Sequence, residues 1–419
     1  MPSAMSAQDV NLSLLAIKGD ALLRELNQLR AYDPIYWSEE SHCWIITGHA
    51  EVTEGFSGSL PISSHAFPEM LYNIMPAVEA DVRLVNSVYY MQKISTNLDG
   101  AEHARVRGLL VKALNRKLVE SLRPYVRNRI SVLLDKAARL EELEFHESIS
   151  RMLPGAVILR LLGLPEEFLP RLKGWSDGVT TALTSFNPEP AWLDQLEVVV
   201  ADMLDVFRKE IESRRRFPKE DFITQLIGAV DGDARLSEDE MLATLIQVII
   251  AGHDSTTNSL TLGIRALAQY PAAWRYWRSH PEKSLECSIE LMRYIAMSAA
   301  MFRIVAEDFE WKGHRMKKGD VLMLMIAGGN RDPGLYKNPE TLDFARENND
   351  RALMFGPGLH HCIGHLLAKL QVSEFFNAVV QRFDGVEILE EPQFTPGLIF
   401  RSVQGLKLHF MPRQDAKGV

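Results

Sequence analysis

Apolar residues recur three and four positions apart along most of this chain, the spacing that lines one face of an α-helix. The pattern predicts helices over Ala101–Arg127, Pro165–Ser185, Ala191–Arg216, Ser237–Tyr270 and Ile363–Phe383. β signals are fewer and shorter. They fall in the aromatic-rich stretch Ile35–Thr47, broken by the polar turn Ser38–Ser41, and in Phe309–Trp311, Val321–Met325 and Leu406–Phe410. The expected class is mainly α with small sheets. No linker-like tract divides the sequence, so one domain over 1–419 is expected, with a β-rich lobe at about 33–60, a helical core at about 99–383 and a β-hairpin at about 395–411.

Ser237–Tyr270 is the longest predicted helix. Ser237 and Glu240 make a capping-box pattern, and Pro271 marks the far end. The rod between them would be about 48 Å long at 1.5 Å per residue, enough to cross the middle of a large domain. Its centre reads Ala251-Gly252-His253-Asp254-Ser255-Thr256-Thr257-Asn258. Consecutive polar side chains cover every direction around a helix, so some must point inward, where each costs free energy unless it finds a partner. Helix propensity gives no reason for such a block. A functional role does.

Composition then narrows the classes. The formal charge of −9 argues against a general nucleic-acid binder, which would carry a dominant basic field. Met1–Gly19 shows no signal-peptide pattern, and apolar runs such as Leu245–Ala251 fall well short of the roughly 20 residues that span a bilayer. A cytoplasmic protein with no membrane attachment is expected. Three cysteines cannot build a disulfide framework, and Cys43 and Cys287 read as small buried hydrophobes.

Cys362 reads differently. The run Phe355-Gly356-Pro357-Gly358-Leu359-His360-His361-Cys362-Ile363-Gly364 leads straight into a predicted helix. The glycines allow a tight turn and close approach to a flat ligand. A cysteine at a helix start meets free N–H groups that favour a thiolate. Gly364 keeps the first turn clear for a large planar group. Zinc is the competing reading, because His360, His361, Cys362 and His365 lie close together. Zinc ligands, however, usually come as spaced pairs from two segments, and here there is one cluster.

The same run resembles the cysteine loop of the cytochrome P450 superfamily, Phe-Gly-x-Gly-x-His-x-Cys-x-Gly, at every fixed position. Glu290-Leu291-Met292-Arg293 is similar to the family's Glu-x-x-Arg. Asn330–Pro333 and Asp343–Arg346 resemble the segments that lock against it, Ala251–Ser255 the oxygen-activating stretch, and Asp99–Arg107 the helix that crosses the haem. The likeness runs from about Asp33 to Phe410, in the style of the soluble bacterial members. It implies haem b with Cys362 as the axial iron ligand. It also implies haem contacts from His103, Arg107, Ala251, Gly252, Arg303, Phe355, Gly356, His360 and Gly364. Asp254 and Ser255 would manage protons for bound O2, and Glu290 and Arg293 would be structural. Ser255 departs from the usual Thr: the hydroxyl is kept, but its rotamer is less constrained.

The resemblance further implies O2-dependent hydroxylation of an apolar small molecule. The pocket would be lined by Phe67, Met70, Leu71, Met75, Val179, Leu183, Ile246, Ile250, Ala299, Met301 and Ile399. Electrons would come from NAD(P)H through an acidic ferredoxin- or flavodoxin-type protein. Residues 101–127 hold seven basic side chains against two acids, and docking is expected near Arg105, Lys112 and Arg116 of a monomer. Two alternatives stay open. The same fold could serve as a peroxygenase or isomerase without external electrons, or as a non-catalytic haem-thiolate sensor.

Overall fold

The structure is a computed structural model of the chain and describes residues 19–65, 83–183, 190–395 and 399–413. Phe67, Met70, Leu71 and Met75 lie outside these residues, as does the side chain of Leu183.

The helices are, in order, Asp20–Tyr32 (α1), His49–Ser57 (α2), Val85–Gln92 (α3), Gly100–Ala113 (α4), Arg116–Ser121 (α5), Arg123–Ala137 (α6), Met152–Leu162 (α7) and Leu169–Leu183 (α8). They continue with Pro190–Arg216 (α9), Phe222–Gly228 (α10), Glu238–Gln269 (α11), Pro271–Ser279 (α12), Ser284–Ile295 (α13), Ile326–Gly329 (α14) and His365–Arg382 (α15). The largest sheet joins Ile35–Ser38 (β1), Cys43–Ile46 (β2), Ile62–Ser63 (β3), Met301–Val305 (β5) and Val321–Leu324 (β8) in the order β1-β2-β8-β5-β3. Leu143–Glu144 (β4), Lys407–Pro412 (β12) and Phe383–Glu390 (β9) make a second sheet. Two small hairpins pair Phe309–Trp311 (β6) with His314–Met316 (β7), and Gln393–Phe394 (β10) with Val403–Gln404 (β11).

The helix predicted over Ala101–Arg127 is three helices. Asn115 starts the second, its side chain accepting from the Leu118 N–H at 3.0 Å, and Pro124 sits in the first turn of the third. The helix predicted to end at Phe383 stops at Arg382, where the chain passes directly into β9. Strand β5, which carries Arg303, was not expected. Its alternation is muted because Phe302 and Arg303 are both buried.

The central helix α11 forms as its caps predict. Ser237 Oγ accepts from the Glu240 N–H at 3.2 Å, and the Glu240 carboxylate accepts from the Ser237 N–H at 2.8 Å. It packs against α7, α8, α9, α13 and α15, so the polar block at its centre is inside the core. The neighbours answer that block. His253 sets Nε2 3.2 Å from the Arg151 carbonyl and Nδ1 3.1 Å from Ser176 Oγ. Ser176 in turn donates to Asp254 at 2.8 Å. Asn258 donates to the Asp254 carbonyl and accepts from the Val403 N–H. Gly252 belongs to this packing: a Cβ there would sit 2.9 Å from Ile158 Cδ1 on α7. Its reason in this structure is the helix–helix contact.

Candidate active site

Cys362 sits three residues before α15, in a turn that ends at Gly364. Its N–H donates to the Phe355 carbonyl at 2.7 Å, which folds the loop back on itself. Gly358 has φ +79° and a Cβ there would fall 2.3 Å from the Phe56 carbonyl oxygen, so only glycine fits. Gly356, also at positive φ, faces the Phe56 ring, while a Cβ on Gly364 would come 3.9 Å from the Cys362 sulfur. Burial pushes the Cys362 thiol up, while the N–H groups of Gly364 and His365 and the charge of Arg107 act in the thiolate's favour. These donors and a sulfur held clear of bulky neighbours are what a soft metal ligand needs.

Four basic side chains gather beside the loop. His103 and His360 stack with centroids 4.0 Å apart, and His103 Nε2 is buried with no hydrogen-bond partner among the described residues. Arg303 is only 4% exposed, lies over the Phe56 ring and donates to the Phe302 carbonyl. Burial lowers its pKa to about 10, only partly opposed by Asp99. Arg107 reaches the His361 carbonyl from α4. The nearby acid Asp99 is already engaged by Ser63 and Ser64. A buried cluster with this excess of donors suits a ligand that brings carboxylates.

The facing wall is α11. Ala251 is exposed although it lies halfway along a helix of the core, and Val248, Gly252 and Ser255 around it are half-buried. Val248, Ala251 and Ser255 share one helix face, so that face borders open space, with Gly252 at its edge toward Ile158. Ser255 Oγ donates back to the Ala251 carbonyl at 2.6 Å, whereas Asp254 is buried and directed to α8. Adjacent residues of the polar block thus point different ways.

Behind the loop, Glu290 and Arg293 form a fully buried ion pair, with Arg293 Nε 2.6 Å from the carboxylate. Arg346 adds a third member at 3.1 Å, and the Asp343 N–H donates to the same carboxylate. The remaining Arg293 nitrogens donate to the carbonyls of Asn330, Pro339 and Thr341, so every charge is answered.

A family model described as Cytochrome P450 matches residues 181–276 and 286–402. This chain belongs to the cytochrome P450 family. It is 31% identical over 312 residues to the polyketide biosynthesis cytochrome P450 PksS of Bacillus subtilis, covering 74% of this chain and 75% of that one. It is 28% identical over 404 residues to the steroid C26-monooxygenase of Mycolicibacterium smegmatis, covering 94% of this chain and 90% of the other. The crystal structure of P450BioI in complex with hexadec-9Z-enoic acid ligated acyl carrier protein superposes with a TM-score of 0.83 at 25% identity, covering 93% and 97% of the two chains. The chain is a cytochrome P450 monooxygenase of bacterial type, and the family implies haem with a thiolate ligand, and O2. The cysteine loop and the basic cluster fit that group, with a half-buried cysteine on one side and an unpaired His103 Nε2 beside Arg303 on the other.

The other expected positions of this cytochrome P450 differ in burial and pairing. Ile246, Ala299 and Val179 are completely covered by protein, so they do not border open space in this structure, while Ile250, Met301 and Ile399 are half-buried. Arg105 pairs with Glu240 and Lys112 with Asp231, so two of the three expected docking cations are already answered by the chain's own acids. Arg116 and Lys117 are exposed and make no salt bridge among the described residues. Arg116 borders a groove of about 500 Å³, next to His365 and Lys369 on the Cys362 side. No described helix is long and apolar enough to cross a membrane.

Proposed function

We propose that this single haem-binding unit hydroxylates an apolar small organic molecule in the cytoplasm, using electrons from NAD(P)H that arrive through an acidic ferredoxin- or flavodoxin-type protein. The observation that carries the reading is the pairing of the Cys362 sulfur with donors from Gly364 and His365 next to a cluster of buried Arg303 and His103 and half-buried Arg107 and His360. When bound, haem supplies the oxygen chemistry, and a thiolate ligand favours O–O cleavage. Cys362 would be that ligand. His103, Arg107, Arg303 and His360 would hold the propionates, with Phe355, Gly356 and Gly364 on one face and Ala251 and Gly252 on the other. Asp254, fixed by Ser176 and His253, and the Ser255 hydroxyl would move protons into a site that otherwise excludes bulk water.

Half-buried Ile250, Met301 and Ile399 support an apolar substrate, and one relative is named a steroid C26-monooxygenase. The reductant would dock over Arg116, Lys117 and Lys369, where positive charge is left unanswered beside the cysteine loop. Turnover with ferredoxin, reductase and NAD(P)H, measured from low to high salt against turnover with peroxide alone, tests this. Partner-driven turnover that weakens steeply with salt is expected. Activity with peroxide alone would favour the peroxygenase reading instead.

A further inference from the structure

Gln247 is a polar side chain where an apolar substrate wall is expected. It lies on α11 one turn before Ala251, on the helix face that borders open space. It is 9% exposed, and an amide in such a place needs partners on both of its ends. One end has them. The backbone N–H of Ser95 and the Ser95 hydroxyl both donate to Gln247 Oε1, at 3.3 and 3.0 Å. A backbone N–H can only donate, so the amide must turn its oxygen toward Ser95 and its NH2 group away. Ser95 is itself buried, in the short turn between α3 and α4 that leads to Asp99 and His103. The orientation is therefore held by the same connection that builds the basic cluster. The other end is open: Gln247 Nε2 has no hydrogen-bond partner among the described residues, and it is not among the side-chain nitrogens sealed inside protein.

We infer that Gln247 is a specificity-determining residue whose oriented NH2 group donates a hydrogen bond to a carbonyl, ether or hydroxyl oxygen of the substrate. The substrate class is then an oxygenated apolar molecule rather than a plain hydrocarbon. This rests on the proposed apolar-substrate monooxygenase reading and sharpens it. A donor held in advance by Ser95 loses little freedom on binding, whereas a hydrocarbon leaves it unanswered in a dry pocket. Discrimination of about tenfold to a hundredfold follows from the usual 1–3 kcal/mol of an unmet buried polar group.

The test uses matched pairs on the ferric holoenzyme: decalin and its ketone, cyclododecane and cyclododecanone, cholestane and cholestanone. Each is titrated by its shift of the haem absorption band. Wild type should bind at least one ketone about tenfold or more tightly than its hydrocarbon. Gln247→Leu should erase the difference by removing the donor. Gln247→Glu still accepts from Ser95, so the local fold is kept, but it faces the pocket with an oxygen and should also lose the preference. Equal binding of ketone and hydrocarbon by wild type would overturn the inference while leaving the apolar pocket standing. Survival of the preference in both variants would overturn it as well. If no pair produces a shift while the reduced CO complex has its normal band, the apolar-substrate reading itself fails, and this inference with it.

Discussion

The imidazole rings of His103 and His360 stack face to face, 4.0 Å between centroids with their planes 29° apart. Burial and the neighbouring Arg303 lower the pKa of His360 to about 3, and burial with Arg107 lowers His103, so the rings stack as neutral groups. An anion set against them reverses the balance, because opposite charge favours the protonated form. Arg303 is the least solvated cation of the set. Arg303→Leu should therefore retain the fold, judged by circular dichroism, yet lose haem about tenfold more readily, judged by haem transfer to an acceptor protein. Unchanged retention would remove this cluster from the haem site.

Arg293 tests the frame rather than the ligand contacts. Removing one partner of a buried, fully bonded ion pair leaves the other charge stranded, at a cost of about 3–5 kcal/mol. Arg293→Ala leaves Glu290 with Arg346 as its single charged partner and the buried Asn330 and Pro339 carbonyls without a donor. The expected result is a collapse in the yield of folded holo-protein. Normal recovery, with an unshifted urea midpoint, would contradict the structural role.

His146, packed against the central helix, sets an acid limit on stability. It is 3% exposed, its Nδ1 lies 3.1 Å from Thr261 Oγ1, and burial and Arg151 hold its pKa down to about 4. Thr261 already donates to the Thr257 carbonyl, so its oxygen accepts from the Nδ1–H of His146, and the lowered pKa leaves the ring neutral at pH 7. The unfolded chain, with an ordinary pKa of about 6.5, binds the proton first. Stability is thus complete above about pH 6.5 and falls as pH drops from there toward about 4, by up to about 3 kcal/mol. In urea titrations at several pH values, His146→Asn should flatten this slope. An equal slope in the variant would show that other groups carry the acid sensitivity.

Asp254 and Ser255 are neighbours with separate attachments, one to Ser176 on α8 and one to the Ala251 carbonyl. A serine can leave that carbonyl more freely than a β-branched threonine. Ser255→Thr should lower the peroxide released per NAD(P)H consumed. Asp254→Asn removes a proton-exchanging carboxylate and should slow turnover about a hundredfold, with a larger solvent isotope effect. An unchanged isotope effect in the second variant would place the proton path elsewhere.

Much of this was legible in the sequence. The capping box at Ser237 and Glu240 marked the start of α11, the glycine and cysteine spacing marked the cysteine loop, and the Glu290–Arg293 pair came from the family resemblance. What stayed hidden was set by tertiary partners. Nothing local says that Gly252 is small because Ile158 is 2.9 Å from where its Cβ would be. Arg105 and Lys112 looked like free cations because Glu240 and Asp231 lie more than a hundred residues away in the chain. Gln247 could have been noticed as a polar residue within an apolar run, but its meaning depends on Ser95. Strand β5 was missed because burial on both faces removes the alternation that reveals strands.

Everything above depends on a thiolate at Cys362. The most direct measurement is the absorption spectrum of the dithionite-reduced CO complex, taken for wild type and for Cys362→Ala. A strongly red-shifted Soret band in wild type, lost in the variant, is the expected result. A wild-type band at the position typical of histidine-ligated haem, or a red-shifted band that persists without Cys362, would contradict the account.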